Sequence, residues 1–122
     1  MTQPTFFALH ALVALVFGVL MILFAETLAP IYGLAFDATG AAMARGYGSA
    51  LLTFAAILWL ARNSEASTAL DAILLGFCVT LAIGALVAVY NQLNAPINAL
   101  GWTTVALYAF LAAGHGYFYY LR

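Results

Sequence analysis

The chain has 122 residues, 67% of them hydrophobic and 6% charged, and its three basic and four acidic residues leave a formal net charge of −1. Soluble domains carry roughly a quarter charged residues, so this balance excludes an ordinary water-soluble globule and makes the lipid bilayer the natural solvent. The lack of lysine and of any basic cluster excludes nucleic acid as a partner, and a single cysteine, Cys78, excludes an internal disulfide or a cysteine metal cluster.

With charges and turn residues as punctuation, four apolar stretches stand out at 5–25, 41–61, 72–90 and 99–121, with 21, 21, 19 and 23 residues. Crossing the hydrocarbon takes roughly 20 apolar residues in a helix. Lipid offers no partner for backbone N–H and C=O groups, and no stretch shows the period-2 alternation of a barrel strand, so all four are expected to be helices. The expected fold is all-α: a single domain over 1–122, folded as an up-down-up-down bundle of four transmembrane helices.

The first stretch follows Met1 to Pro4, which hold no basic residue. It therefore does not read as a cleaved signal peptide. Along it His10, Ala14 and Gly18 recur every four residues, a spacing that puts them on one helix face. Glu26 closes this helix, where the negative end of the helix dipole disfavours a carboxylate. In the connector that follows, Asp37 precedes Thr39-Gly40 as a candidate N-cap.

The second stretch carries Arg45 several residues inside, with Ser49 and Ala56 along the same side. An unpaired arginine within a span costs roughly 3 kcal/mol or more. Glu26 and Asp37 lie toward the same membrane face, so Arg45, Glu26 and Asp37 form a candidate buried ion pair that would pin the first connector to the bundle. In the third stretch Gly76, Thr80, Gly84 and Ala88 recur every four residues, and the fourth carries Gly101, Thr104, Tyr108 and His115. Gly18, Gly76 and Gly84 are the expected helix-packing glycines, because close approach over small residues drives helix association in lipid. Asn91, Gln92, Asn94 and Asn98 surround Pro96, where they can cap helix ends.

His10 stands six residues past Pro4 and His115 seven before Arg122. At 1.5 Å rise per residue both lie roughly 9–11 Å along their helices from one face, a spacing that would suit two imidazole ligands of haem or a metal. The structural alternative is a pair of hydrogen-bonded core histidines. Cys78 reads as packing. A short echo links Ala29-Pro30-Ile31 with Ala95-Pro96-Ile97, each followed by Leu three residues later. In so alanine-rich a chain the echo reads as coincidence.

The stretch from Ala29 to Leu34, then Asp37, then Ala44-Arg45-Gly46-Tyr47-Gly48, resembles the core of a bacterial family of small four-helix integral membrane proteins known only as a domain of unknown function. Leu58-Trp59-Leu60-Ala61-Arg62 and Leu100-Gly101-Trp102 extend the resemblance. It implies an architecture, with Pro30, Tyr32, Gly33, Asp37, Arg45, Tyr47 and Gly48 as a shared core, and no activity. Arg62 and Arg122 on the face holding both termini, against Arg45 on the other, favour cytoplasmic termini, and the resemblance implies a multi-pass protein of the bacterial inner membrane. Trp59, Tyr117, Tyr119 and Tyr120 would anchor one interface and Tyr32, Tyr47, Tyr90 and Trp102 the other.

No nucleophile, base and orienting group fall at compatible positions, so the expected function is non-enzymatic. The leading reading is a structural or accessory subunit that associates with itself or with a larger membrane complex and needs no cofactor. The alternatives are a small proton-coupled transporter of a hydrophobic or cationic solute using Glu26 or Asp37, and haem or metal binding through His10 and His115.

Overall fold

Side-chain caps start the three longest helices of this chain. The Thr2 hydroxyl accepts a hydrogen bond from the Thr5 N–H at 3.4 Å, Asp37 Oδ1 from Gly40 at 2.7 Å and Ser67 Oγ from Leu70 at 3.1 Å. Each satisfies one of the donors that a helix leaves unpaired in its first turn. The computed structural model, which describes residues 1–121, is all-α. Its helices are α1 (Gln3–Leu23), α2 (Ala25–Ile31), α3 (Ala38–Ala61), α4 (Thr68–Asn94) and α5 (Trp102–Tyr120), with a 3-10 turn, Ala99–Gly101, leading into α5.

The chain divides into two compact units, one over Met1–Asn63 and one from Ser64 onward. In the first, α1 packs along α3, and the short α2 touches both. Phe6, Phe7, His10, Ala11, Ala14 and Gly18 are buried on α1, a stripe at the three- and four-residue spacing of one helix face. On α3, Ala41, Gly48 and Ala55 are buried at intervals of seven, the repeat of a narrow helix–helix seam. The two seams meet backbone to backbone. A Cβ on Gly18 would stand 2.9 Å from the Gly48 carbonyl oxygen, and one on Gly48 would stand 2.8 Å from the Gly18 carbonyl oxygen.

In the second unit α4 packs along α5. Gly84 receives the Tyr108 ring, which a Cβ would meet at 3.0 Å, and Gly116 lies against Cys78, whose sulfur a Cβ would meet at 3.2 Å. Leu70 and Leu74 of α4 and Leu111, Ala112 and His115 of α5 are buried. Most of the remaining α4 surface is open, with Val79, Ile83, Leu86, Val87 and Leu93 exposed. Exposed aliphatic side chains in such number are costly in water and cost nothing against lipid tails.

Three helices, α1, α3 and α4, are long and apolar enough to cross a membrane. The fourth expected span, α5, has the length at 19 residues, but Tyr108, His115, Tyr117, Tyr119 and Tyr120 dilute its apolar character. The observed ends also differ from those expected. Polar residues served as boundaries in the sequence, yet α4 runs through Asp71 at one end and through Asn91, Gln92 and Asn94 at the other. It stops where Pro96 forces Ala95 into extended backbone, with φ −108° and ψ 159°. The first expected helix is broken at Phe24, whose φ of −133° lies outside helical geometry, and the chain resumes as α2. Arg122, one of the basic residues counted on the terminal face, lies outside the described residues.

Gly18→Leu and Gly48→Leu are each expected to destabilise the first hairpin by at least about 1–3 kcal/mol, because the branched side chain must push two backbones apart. Gly76→Leu enters open space, with nothing within 4 Å of the added Cβ. Its expected effect is within about 0.5 kcal/mol. Equilibrium unfolding of the detergent-solubilised monomer measures all three.

Candidate functional site

The break at Phe24 decides where Glu26 sits. It places Glu26 in the first turn of α2, where the helix dipole favours a carboxylate, instead of at the closing end of α1. α2 then ends in a paired set of backbone bonds: Leu34 N–H donates to the Ala29 carbonyl at 2.9 Å and Gly33 N–H to the Pro30 carbonyl at 3.0 Å. This is a Schellman cap, which requires a left-handed residue, and Gly33 supplies it with φ 79°. The cap turns the chain so that Asp37 can open α3.

On α3, Arg45 stands seven residues after Ala38, about 10 Å up the helix. The fold brings it to Glu26, with Arg45 Nη2 and Glu26 Oε1 3.7 Å apart. The pair is not buried within the chain: the side chains are 49% and 71% exposed. The buried face of α2 is that of Ala25 and Ala29, four residues apart, and Glu26 lies off it. At this length and exposure such a pair contributes about 0–1 kcal/mol, at the lower end. Asp37 has a different task, because its carboxylate caps α3 through the Gly40 N–H. Of the three candidates, the structure therefore joins two and assigns the third to the helix start.

At the turn of the second hairpin a neutral cluster does comparable work. Gln92 Nε2 donates to the Asn98 carbonyl at 2.8 Å, Asn98 Oδ1 accepts from the Leu100 N–H at 3.0 Å, and Asn94 Nδ2 donates to the Tyr90 carbonyl at 2.8 Å. Gly101 lies so close to Gln92 and Ile97 that any Cβ there would overlap both. At the far end of α3, Arg62 donates to the Trp59 carbonyl and lies over the Trp59 ring, 3.9 Å from its centroid. A cation at a helix C-terminus gains from the dipole, and the indole face adds a cation–π contact.

His10 is buried on the α1 seam of the first unit. His115 is buried in the second, its ring stacked on Phe77 with centroids 5.1 Å apart. Among the described residues no group of three or more His, Cys, Asp or Glu side chains is placed to hold a metal ion. Gly18 and Gly84 lie within their hairpin seams, whereas Gly76 faces open space. Two seam glycines escaped sequence reasoning as packing residues, Gly48 and Gly116; the spacing of seven from Ala41 and Ala55 is the signal that would have found Gly48. Compared with known proteins, the chain matches no family model, no curated protein and no solved structure.

Asp37→Ala is expected to cost about 1 kcal/mol through loss of the α3 cap. Glu26→Gln is expected to change stability by no more than about 0.5 kcal/mol. Parallel unfolding curves of the two variants check the ranking, and a larger loss for Glu26→Gln would contradict it.

Proposed function

We propose that this chain is a four-span integral protein of the bacterial inner membrane, with cytoplasmic termini, acting as a non-enzymatic structural or accessory subunit. It assembles with itself or with a larger membrane complex. The observation that carries this reading is the state of two glycines on spanning helices. A Cβ on Gly46 of α3 or Gly76 of α4 would meet nothing within 4 Å, while Gly18, Gly48 and Gly84 are consumed by the hairpin seams.

Small residues flank both open glycines. Ala42, Ser49 and Thr53 are exposed on the Gly46 side of α3, and Ala72 and Thr80 stand one turn either side of Gly76 and are exposed as well. Lipid tails gain nothing from such faces, whereas another helix can bring its backbone close and accept hydrogen bonds from the hydroxyls. In the chain alone the Thr53 hydroxyl turns back to the Ser49 carbonyl at a long 3.4 Å, a bond that an incoming acceptor can replace.

The four-span topology is supported by the length of α5 and by the tyrosines at its end, which suit an interface. Arg62 at the same end of its hairpin supports the cytoplasmic placement of the termini.

In native membranes, crosslinking followed by native mass spectrometry is expected to find the chain in a defined oligomer or bound to another membrane protein. Gly46→Leu and Gly76→Leu should lower that association at least tenfold while leaving monomer unfolding unchanged. A chain that is monomeric and partner-free in its own membrane would overturn the reading, as would association indifferent to both substitutions.

A further inference from the structure

The two hairpins share a series of residues in the same order, although the first arm of one is broken at Phe24 and that of the other, α4, is continuous. Each first arm opens on a hydroxyl cap, Thr2 in one and Ser67 in the other, standing 28 and 29 residues before Pro30 and Pro96. Each carries a glycine twelve residues before that proline, Gly18 and Gly84, and each glycine meets the second arm, at Gly48 and Tyr108 respectively. Four residues before the proline stand Glu26 and its near-isostere Gln92. Both side chains reach across the turn, Glu26 to Arg45 and Gln92 to the Asn98 carbonyl.

Ala-Pro-Ile stands at the turn end of both first arms, inside α2 in the first and just past α4 in the second, and an Asx cap opens both second arms. Asp37-Ala38-Thr39-Gly40 corresponds to Asn98-Ala99-Leu100-Gly101, with the Asp37 and Asn98 carboxyl or amide oxygen accepting a backbone N–H in each case. Ten residues after the caps stand Tyr47 and Tyr108, and twenty-two after them Trp59 and Tyr120. The registers differ by one residue between the first caps and the glycines, and by an insertion at the turn. Asp37 is seven residues beyond Pro30 and Asn98 only two beyond Pro96, and the additional five, 32–36, contain the glycine of the Schellman cap.

Alanine abundance accounts for Ala-Pro-Ile taken alone. It does not account for a glycine, an acid or its amide, a proline and an Asx cap recurring in the same order around both turns, in a chain with three prolines and ten glycines in all. We infer that the chain is a tandem duplication of one helical hairpin, and that position 26/92 is the clasp of its turn. The charge pair belongs to the first copy only, because Gln92 and Ala106 hold the places of Glu26 and Arg45 in the second. The hairpin architecture therefore requires neither charge, which leaves both free for a role other than folding.

Three full-length variants test this. In one, residues 84–97 are replaced by residues 18–31 with Gln retained at the clasp. In another, the first turn is rewritten as the second by deleting 32–36 together with Glu26→Gln and Asp37→Asn. The third is Glu26→Gln/Arg45→Ala. A chain with residues 84–97 in scrambled order is the control. The three are expected to insert and to melt in detergent within about 5 °C of the parent, the shift of a small perturbation, while the scrambled chain aggregates or melts far lower. The duplication is overturned if both segment variants behave like the scrambled chain. The dispensability of the charges is overturned if Glu26→Gln/Arg45→Ala alone does so.

Discussion

Two peptide backbones in contact at Gly18 and Gly48 hold the first hairpin, and much of its other geometry follows from that contact. Inside lipid, helices gain little by hiding apolar surface from one another, so attraction must come from dispersion at short range and from weak polar contacts. Only glycine permits the approach seen here, with each carbonyl oxygen occupying the space of the other residue's missing Cβ. Arg45 lies three residues before Gly48 and Glu26 eight after Gly18. The crossing and the break at Phe24 together bring them within 3.7 Å. An arginine expected to act as a buried lock instead rests on the outside of a hairpin closed by other means.

The second hairpin solves the same problem with larger parts. Tyr108 fills the notch at Gly84, Cys78 fits against Gly116, and His115 lies flat on Phe77. The polar residues around Pro96 close its turn without any charge. Both hairpins thus commit one glycine-bearing face inward and leave another outward, at Gly46 and at Gly76. That division of small residues between inner seam and open face is the feature on which an assembly role rests.

Much of this was legible in the residues, and the failures have physical causes. The existence and centres of the long helices follow from apolar length without strand alternation, since lipid leaves such a backbone only the helix in which to bond. Their ends do not follow, because Asp71, Asn91 and Gln92 are tolerated within a helix, and it is Ser67 and Pro96 that set its limits. The break at Phe24 was invisible, as an apolar residue in an apolar run carries no sign of it, and with it went the true setting of Glu26. Gly48 was hidden for a different reason: a seam with a repeat of seven is missed when only four-residue rows are sought. Likewise three matching residues around each turn say little alone, and acquire meaning once Thr2 and Ser67, and Asp37 and Asn98, are seen to cap the arms in the same order.

The backbone crossing can be observed directly in a bilayer. Solid-state NMR on chain labelled at the Gly18 carbonyl carbon and the Gly48 α-carbon, reconstituted in lipid, reports whether the two approach. The account predicts a strong through-space correlation between them. Its absence from a sample whose α1 and α3 chemical shifts remain helical would contradict the account.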